Sequence, residues 1–251
     1  MKTLFFDLEN IARPEHIFHP GKRSRFGGRP NGFCADLAYI LVFGYRWLDD
    51  FKSHSIETPS RIFKKDPIGD HHILEQIAEV MNQADQIVTW YGSGHDYPFL
   101  ISRLTQAGIK LDPNIRHIDL MKVASKHLRL SSNSLNNVAK FLGTEIKDVS
   151  HHEWWPQCWS GNIEALKKMA KYCRQDVDVL YQVWEKMIDL APLHAKHLYK
   201  PLEMGAECPK CELGKLVGNG HRVTLTRTYK RLRCDGCGSG FKGPMIKDRK
   251  R

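Results

Sequence analysis

Two sets of side chains in this sequence have types and spacings that suit metal chemistry. The first is acidic. Asp7 and Glu9 stand two residues apart, Asp96 follows the turn Gly92-Ser-Gly-His95, and Tyr172 and Asp176 stand four apart in Tyr172-Cys-Arg-Gln-Asp176. Hard divalent ions such as Mg²⁺ or Mn²⁺ take oxygen ligands of this kind. Two such ions about 4 Å apart can share converging carboxylates and act on a phosphodiester. The second set is Cys208-x₂-Cys211-x₂₂-Cys234-x₂-Cys237. Two knuckles at this spacing predict four thiolates around one structural Zn²⁺. A redox pair is the other meaning of Cys-x-x-Cys, but two pairs in one short basic segment point to zinc.

The elements that carry these residues can be read from periodicity. From Gly161 to Leu190, apolar residues recur at Ile163, Leu166, Ala170, Cys173, Val177, Leu180, Trp184 and Met187. Steps of three and four predict one or two helices with a buried stripe. Tyr172 and Asp176 share a face beside that stripe. A carboxylate at the rim of a core needs a partner, and a cation would serve. Thr3 to Glu9 alternates as a strand, with Leu4, Phe6 and Leu8 on one face and Phe5, Asp7 and Glu9 on the other. A strand end turning polar at Glu9 is the plainer alternative. Asp36–Trp47 and Ser53–Glu57 predict two further strands, and Asp70–Ala84 a helix with Ile73, Ile77, Val80 and Met81 inward. Gln86–Tyr91 predicts a buried strand. Asp96 begins the next helix, with Pro98 in its first turn, and would serve equally well as an N-cap. Arg116–Leu120 reads as a short strand, and Met121–His127 and Ser134–Leu142 as helices. Lys147–Ser160 reads as loop, its Trp154, Trp155 and Trp159 plugging a gap in the core. His151, His152 and Cys158 match no standard metal spacing.

Composition bounds the partners. The chain has 251 residues, 41% of them hydrophobic, enough for one core and a small appendage. No apolar run approaches a membrane span, and the start of the chain lacks the pattern of a signal peptide. An intracellular protein, cytoplasmic in a prokaryote or a phage-infected cell, is expected, with no membrane partner. The scattered Cys34, Cys158 and Cys173 do not make a disulfide framework. Net charge is +10, and Pro201–Arg251 holds twelve Lys and Arg against five Asp and Glu. That imbalance suits a nucleic acid or a merely solvated tail. The Asn10–Phe33 stretch carries Arg23, Arg25 and Arg29 among three prolines and four glycines. It leaves directly from the acidic strand, so it could hold phosphates there or be a plain surface loop. Val223–Arg233 alternates like a strand and carries Arg227, Lys230, Arg231 and Arg233. These are the candidate phosphate contacts of the C-terminal module, whose alternative use is protein contact.

The acids lie in an order that resembles the DEDD, or DnaQ-like, superfamily of 3′–5′ exonucleases. Phe5-Phe-Asp-Leu-Glu9 is similar to the first motif, Asp-x-Glu. His95-Asp-Tyr-Pro-Phe-Leu100 is similar to the second, Phe-Asp-x-Pro-x-Leu, and Tyr172-Cys-Arg-Gln-Asp-Val177 to the third, Tyr-x-x-x-Asp. The tyrosine points to the DEDDy branch, with the proofreading domains of family-B polymerases. His117-Ile-Asp-Leu120 and Ser134–Gly143 also resemble that branch, and the resemblance spans roughly Lys2 to Ile188. Three residues depart from the pattern. Tyr91-Gly92 stands where Asn-Gly is usual, His95 replaces Phe, and Asn10 follows the first motif where a small hydroxyl residue is common. These departures bear on substrate positioning, not on the acids.

The resemblance implies an α/β fold, an RNase H-like mixed sheet flanked by helices, and the cysteine spacing adds a small C-terminal zinc ribbon. An exonuclease domain over 1–195, a linker over 196–204, the ribbon over 205–245 and a basic tail over 246–251 are expected. The resemblance also implies roles. Asp7 would bridge two Mg²⁺ or Mn²⁺ ions, Glu9 and Asp176 would hold the ion that activates water, and Asp96 would support the other. Tyr172 would orient the water, since a phenol near pKa 10 is a poor base at neutral pH. The implied reaction is hydrolysis of terminal phosphodiesters, releasing nucleoside monophosphates. The expected partner is nucleic acid, single-stranded DNA before RNA, with a replication or repair protein as a further one. An exoribonuclease and a catalytically silent binding or adaptor protein are the competing readings. Oligomeric state is not legible.

Overall fold

The computed structural model describes residues 2–12, 35–144, 153–190, 202–223 and 227–248. The chain divides into two compact units, 1–190 and 191–251. Arg23, Arg25, Arg29, Cys34, His151 and His152 lie outside the described residues, as does 196–201 of the expected linker.

In the first unit, the described residues form one five-stranded sheet. Its strands are β1 (Thr3–Ala12), β2 (Ala38–Trp47), β3 (His54–Glu57), β4 (Gln86–Thr89) and β5 (Arg116–Asp119), in the order β3-β2-β1-β4-β5. β1 pairs antiparallel with β2 and parallel with β4, and β4 pairs parallel with β5. This is the mixed α/β architecture expected from the resemblance. β1 lies at the centre of the sheet, and helices cover both its faces. Leu4, Phe6 and Leu8 join the core under α2 (Leu74–Asn82) and α3 (Asp96–Gln106). The other face meets α7 (Ile163–Met187), where Phe5 packs edge-on against Tyr181 and Trp184.

Glu9 is not the end of its strand. β1 continues to Ala12, and its register with β2 shifts between Glu9 and Asn10, where the partners step from Val42 to Ile40. A bulge of this kind bends a strand and re-aims its side chains.

The helical readings hold with local shifts. Ser134 caps α5 (Leu135–Leu142) by accepting from Asn137 N, and Gly143 closes it with a left-handed φ of 68°. α4 spans Leu120–His127. A short α1 (Ser60–Phe63) was not foreseen. α7 is one helix of 25 residues, opened by the Asn162 side chain, which accepts from Glu164 N and Ala165 N. Asp70 does not begin α2. It is buried, its two carboxylate oxygens accept from Arg103 at 2.7 and 2.8 Å, and Ile40 N donates to it at 3.0 Å. That pair fastens α3 to the start of β2.

The loop reading of 147–160 is corrected where it is described. Trp154–Trp159 forms helix α6, with Pro156 in its first turn, where a missing N–H costs nothing. Its tryptophans pack against the core beside α7, as the plug reading expected, and Trp159 Nε1 donates to Ala12 O at 3.1 Å.

The second unit has an antiparallel sheet of three described strands, β6 (Leu216–Val223), β7 (Arg227–Cys234) and β8 (Gly240–Asp248), in the order β6-β7-β8. Val223–Arg233 is therefore not one strand. Val223 ends β6 and Arg227 begins β7. β8 was not foreseen and runs three residues past 245, into the stretch read as a tail.

Candidate functional site

β1 and α7 bring three residues of the acidic set together. Ligand oxygens of Asp7, Glu9 and Asp176 all lie within 4.8 Å of one another. Asp7 is half-buried, and Glu9 and Asp176 are buried. Three carboxylates at this spacing repel one another unless protons or a cation lie among them. An all-oxygen donor set of this charge fits a hard divalent ion.

Gly44 makes the convergence possible. It lies opposite Asp7 on β2. A Cβ on Gly44 would stand 2.7 Å from Cys173 Sγ and 3.0 Å from Cys173 O. The backbone of α7 thus rests directly on the sheet, one helical turn before Asp176. Glycine inside a strand often marks such an approach. Cys173 Sγ lies 3.5 Å from Asp7 O and 3.9 Å from Asp7 Oδ2. Burial, and then the charges of Asp7, Glu9 and Asp176, hold its thiol well above the ordinary range. Tyr172 is buried at 6% exposure, so its place beside the apolar stripe is a core position.

Asp96 is not one of the acids whose oxygens all lie within 4.8 Å of one another. His95, not Asp96, occupies the N-cap of α3, with no side-chain cap, so the N-cap alternative is overturned. Asp96 is buried in the first turn. Burial, and then the neighbouring Asp119 carboxylate, push its carboxyl up to about 7. His95 links this end of α3 to the strand, since its Nε2 lies 3.3 Å from Asn10 Oδ1, next to Glu9.

Asp119 and Gly44 are the residues that reading the sequence missed. Asp119 ends β5 and accepts from Tyr91 N at 3.0 Å, from Ser93 N at 3.2 Å and from the Ser93 hydroxyl. Its motif His117–Leu120 was visible, but its contacts depend on the pairing of β4 with β5. Cys158 is a core residue, its thiol pushed up to about 12 by burial. A group Asp66, His71 and His72 also gathers, partly exposed, before α2.

In the second unit, Cys208, Cys211, Cys234 and Cys237 bring their sulfurs within 4.8 Å of one another. Cys208 and Cys237 are 3.7 Å apart, and Cys211 and Cys234 are 3.6 Å apart. A tetrahedron with Zn–S bonds of about 2.3 Å has edges of about 3.8 Å. The four sulfurs therefore fit zinc and are far from disulfide distance. Lys210 N lies 3.4 Å from Cys208 Sγ, and Cys237 N lies 3.3 Å from Cys234 Sγ. Hydrogen bonds from Ser239 pull the Cys237 thiol down to about 6, favouring the thiolate that a metal needs. A Cβ on Gly214 would meet Cys234 Sγ at 2.5 Å.

Of the expected basic contacts here, Lys230, Arg231 and Arg233 are exposed on β7. Arg227 begins β7, and its side chain is outside the described set. His221, Arg222, Val223 and Arg231 line an open hollow across β6 and β7.

Comparison with known proteins gives the lineage. A family model for the RNase H superfamily matches residues 31–188, which takes in Asp96, Tyr172 and Asp176 and begins after β1. A DNA polymerase of Pyrococcus horikoshii is 21% identical over 157 residues, 53% of this chain and 13% of its own length. The DNA polymerase delta catalytic subunit of Glycine max is 31% identical over 116 residues, 46% of this chain and 10% of its own. A family-B DNA polymerase structure from the hyperthermophilic archaeon Pyrobaculum calidifontis superposes with a TM-score of 0.54 at 13% identity, covering 88% of this chain and 33% of that one. The chain thus spans a third or less of each of these relatives.

Proposed function

The chain belongs to the RNase H superfamily, and from that membership we propose that it is a metal-dependent 3′–5′ exonuclease acting on single-stranded DNA. The observation that supports this best is the convergence of Asp7, Glu9 and Asp176, from the central strand and the long helix, on one point. These three carboxylates would hold divalent cations, Mg²⁺ or Mn²⁺, with Asp96 supporting a second ion from the adjoining helix. Bound there, such ions supply charge stabilisation at phosphate and lower the pKa of water. Tyr172, seated in the core one turn from Asp176, orients the attacking water through its hydroxyl. The nucleoside monophosphate is the product. The polymerase likenesses favour DNA over RNA.

The second unit would be a zinc ribbon that grips the phosphate backbone. Lys230, Arg231 and Arg233 are exposed on one strand, and Arg227 begins that strand. Arg23, Arg25 and Arg29 are proposed as phosphate contacts of the first unit.

Direction and substrate are tested by a time course on 5′-labelled single-stranded DNA and RNA of one sequence, with Mg²⁺, Mn²⁺ or a chelator. The expected result is a metal-dependent ladder shortening from the 3′ end, faster on DNA. A ladder on RNA alone would make the protein an exoribonuclease. Binding without cleavage would leave the silent adaptor reading.

A further inference from the structure

Tyr91 has a left-handed backbone, with φ of 61°. Among the described residues only Glu212 shares this trait without being glycine. Bulky residues avoid this region, and where they occupy it the surroundings must hold them there. Much of the surrounding structure does so. The buried Asp119 carboxylate accepts from Tyr91 N and from both donors of Ser93. Gly94 N donates to Tyr91 O and Tyr97 N to Gly92 O, each at 2.9 Å. The preceding Trp90 is tied by its Nε1 to Asn133 O at 3.1 Å.

Two glycines make room. A Cβ on Gly92 would stand 2.2 Å from Thr89 Oγ1. A Cβ on Gly94 would stand 2.6 Å from the Tyr91 ring, so the ring lies against this turn, two residues before Asp96. Yet the residue held so firmly is 47% exposed. An aromatic that served packing would be buried, and a spacer would not need the clamp. The same turn leads into His95, which reaches Asn10 beside Glu9.

We propose that Tyr91 is a stacking platform for an unpaired nucleobase at the 3′ end of the strand entering the carboxylate site. This rests on the nuclease reading above. A ring offers every base the same π-face, so the site would take a frayed or single-stranded end with little preference among bases.

The test compares two oligonucleotides, one ending in a normal 3′ nucleotide and one in an abasic nucleotide. Wild type is set beside Tyr91→Phe, Tyr91→Ala and Tyr91→Gly. Wild type should favour the base-bearing end by roughly 10-fold or more in kcat/KM, the scale of base–aromatic stacking. Tyr91→Phe should keep that preference. Tyr91→Ala and Tyr91→Gly should lose it, through KM more than kcat. Glycine is at ease at positive φ, so Tyr91→Gly should match or exceed wild type in Tm while losing discrimination. A purely structural role would lower both substrates together and keep their ratio, which would overturn the platform. So would a wild type indifferent to the missing base, or a Tyr91→Gly variant that still discriminates. If wild type cuts neither substrate with any divalent ion, the nuclease reading fails separately. The same ratios are then read as equilibrium affinities, with the same outcomes deciding.

Discussion

At the scale of single residues, Asp7, Glu9 and Asp176 converge, and Tyr172 lies one helical turn from Asp176. Asp7 and Glu9 declare themselves by strand alternation, and Tyr172 with Asp176 by helical spacing. Asp119 looks like the polar end of a short strand until the turn at Tyr91 is folded against it. Tyr172→Phe keeps the ring and removes the hydroxyl, so we expect a loss on the order of 10- to 100-fold in single-turnover rate, as for a lost positioning contact. An unchanged rate would take Tyr172 out of the chemistry. Asp96 gives a pH prediction. Its carboxyl titrates near 7 in the folded protein, against an ordinary value of 3.8. Its contribution to stability is therefore full below pH 3.8 and lost as pH rises through 7. In chelator, Tm should fall between pH 5 and pH 8, and Asp96→Asn should reduce the fall. Added Mn²⁺ should raise Tm more at pH 8, where the carboxylates are free of protons. A fall in Tm that Asp96→Asn leaves unchanged would contradict this.

At the scale of elements, β1, α3 and α7 each show the repeat of their type in the sequence, although the repeat over 161–190 fits one helix or two and only the structure makes it one. α6 was hidden because three tryptophans and a proline carry no helical period. β6 and β8 are hard to read because their residues are mostly polar or glycine, and the apolar cluster they share with β7 is small, Leu216, Leu232 and Phe241 beside Cys208 and Cys234. Two long-range contacts decide how the elements meet. Gly44→Ala should push α7 away from β1 and part Asp176 from Asp7. We expect a folded protein with Mn²⁺ affinity weakened 10-fold or more, a scale comparable to loss of a supporting contact at a metal site. Titration calorimetry measures it, and wild-type affinity would show that the close approach is dispensable. The Asp70–Arg103 pair is buried, so Arg103→Ala should cost about 3–5 kcal/mol by leaving a buried carboxylate without its cation. Urea unfolding reads this, and a cost under about 1 kcal/mol, the scale of an exposed pair, would contradict it.

At the scale of the whole molecule, charge and chemistry are divided. The three converging carboxylates lie in the first unit, and the last 51 residues hold twelve Lys and Arg against five Asp and Glu. Removing 201–251 should leave the carboxylate group intact and remove zinc. Binding to a single strand should weaken, with a flatter slope of log affinity against log salt, because fewer counterions are released. An unchanged slope would favour a ribbon that docks on protein. The carboxylate convergence is tested most directly by 3′-terminal nucleotide release, with wild type beside an Asp7→Ala variant shown to be folded by circular dichroism and followed under single turnover with Mn²⁺. We expect wild type to shorten the strand only when metal is present, and the variant to be slower by on the order of 100- to 1,000-fold or more, the scale of losing a charge-organising group at a reacting centre. A folded Asp7→Ala protein that releases the nucleotide at the wild-type rate would contradict it.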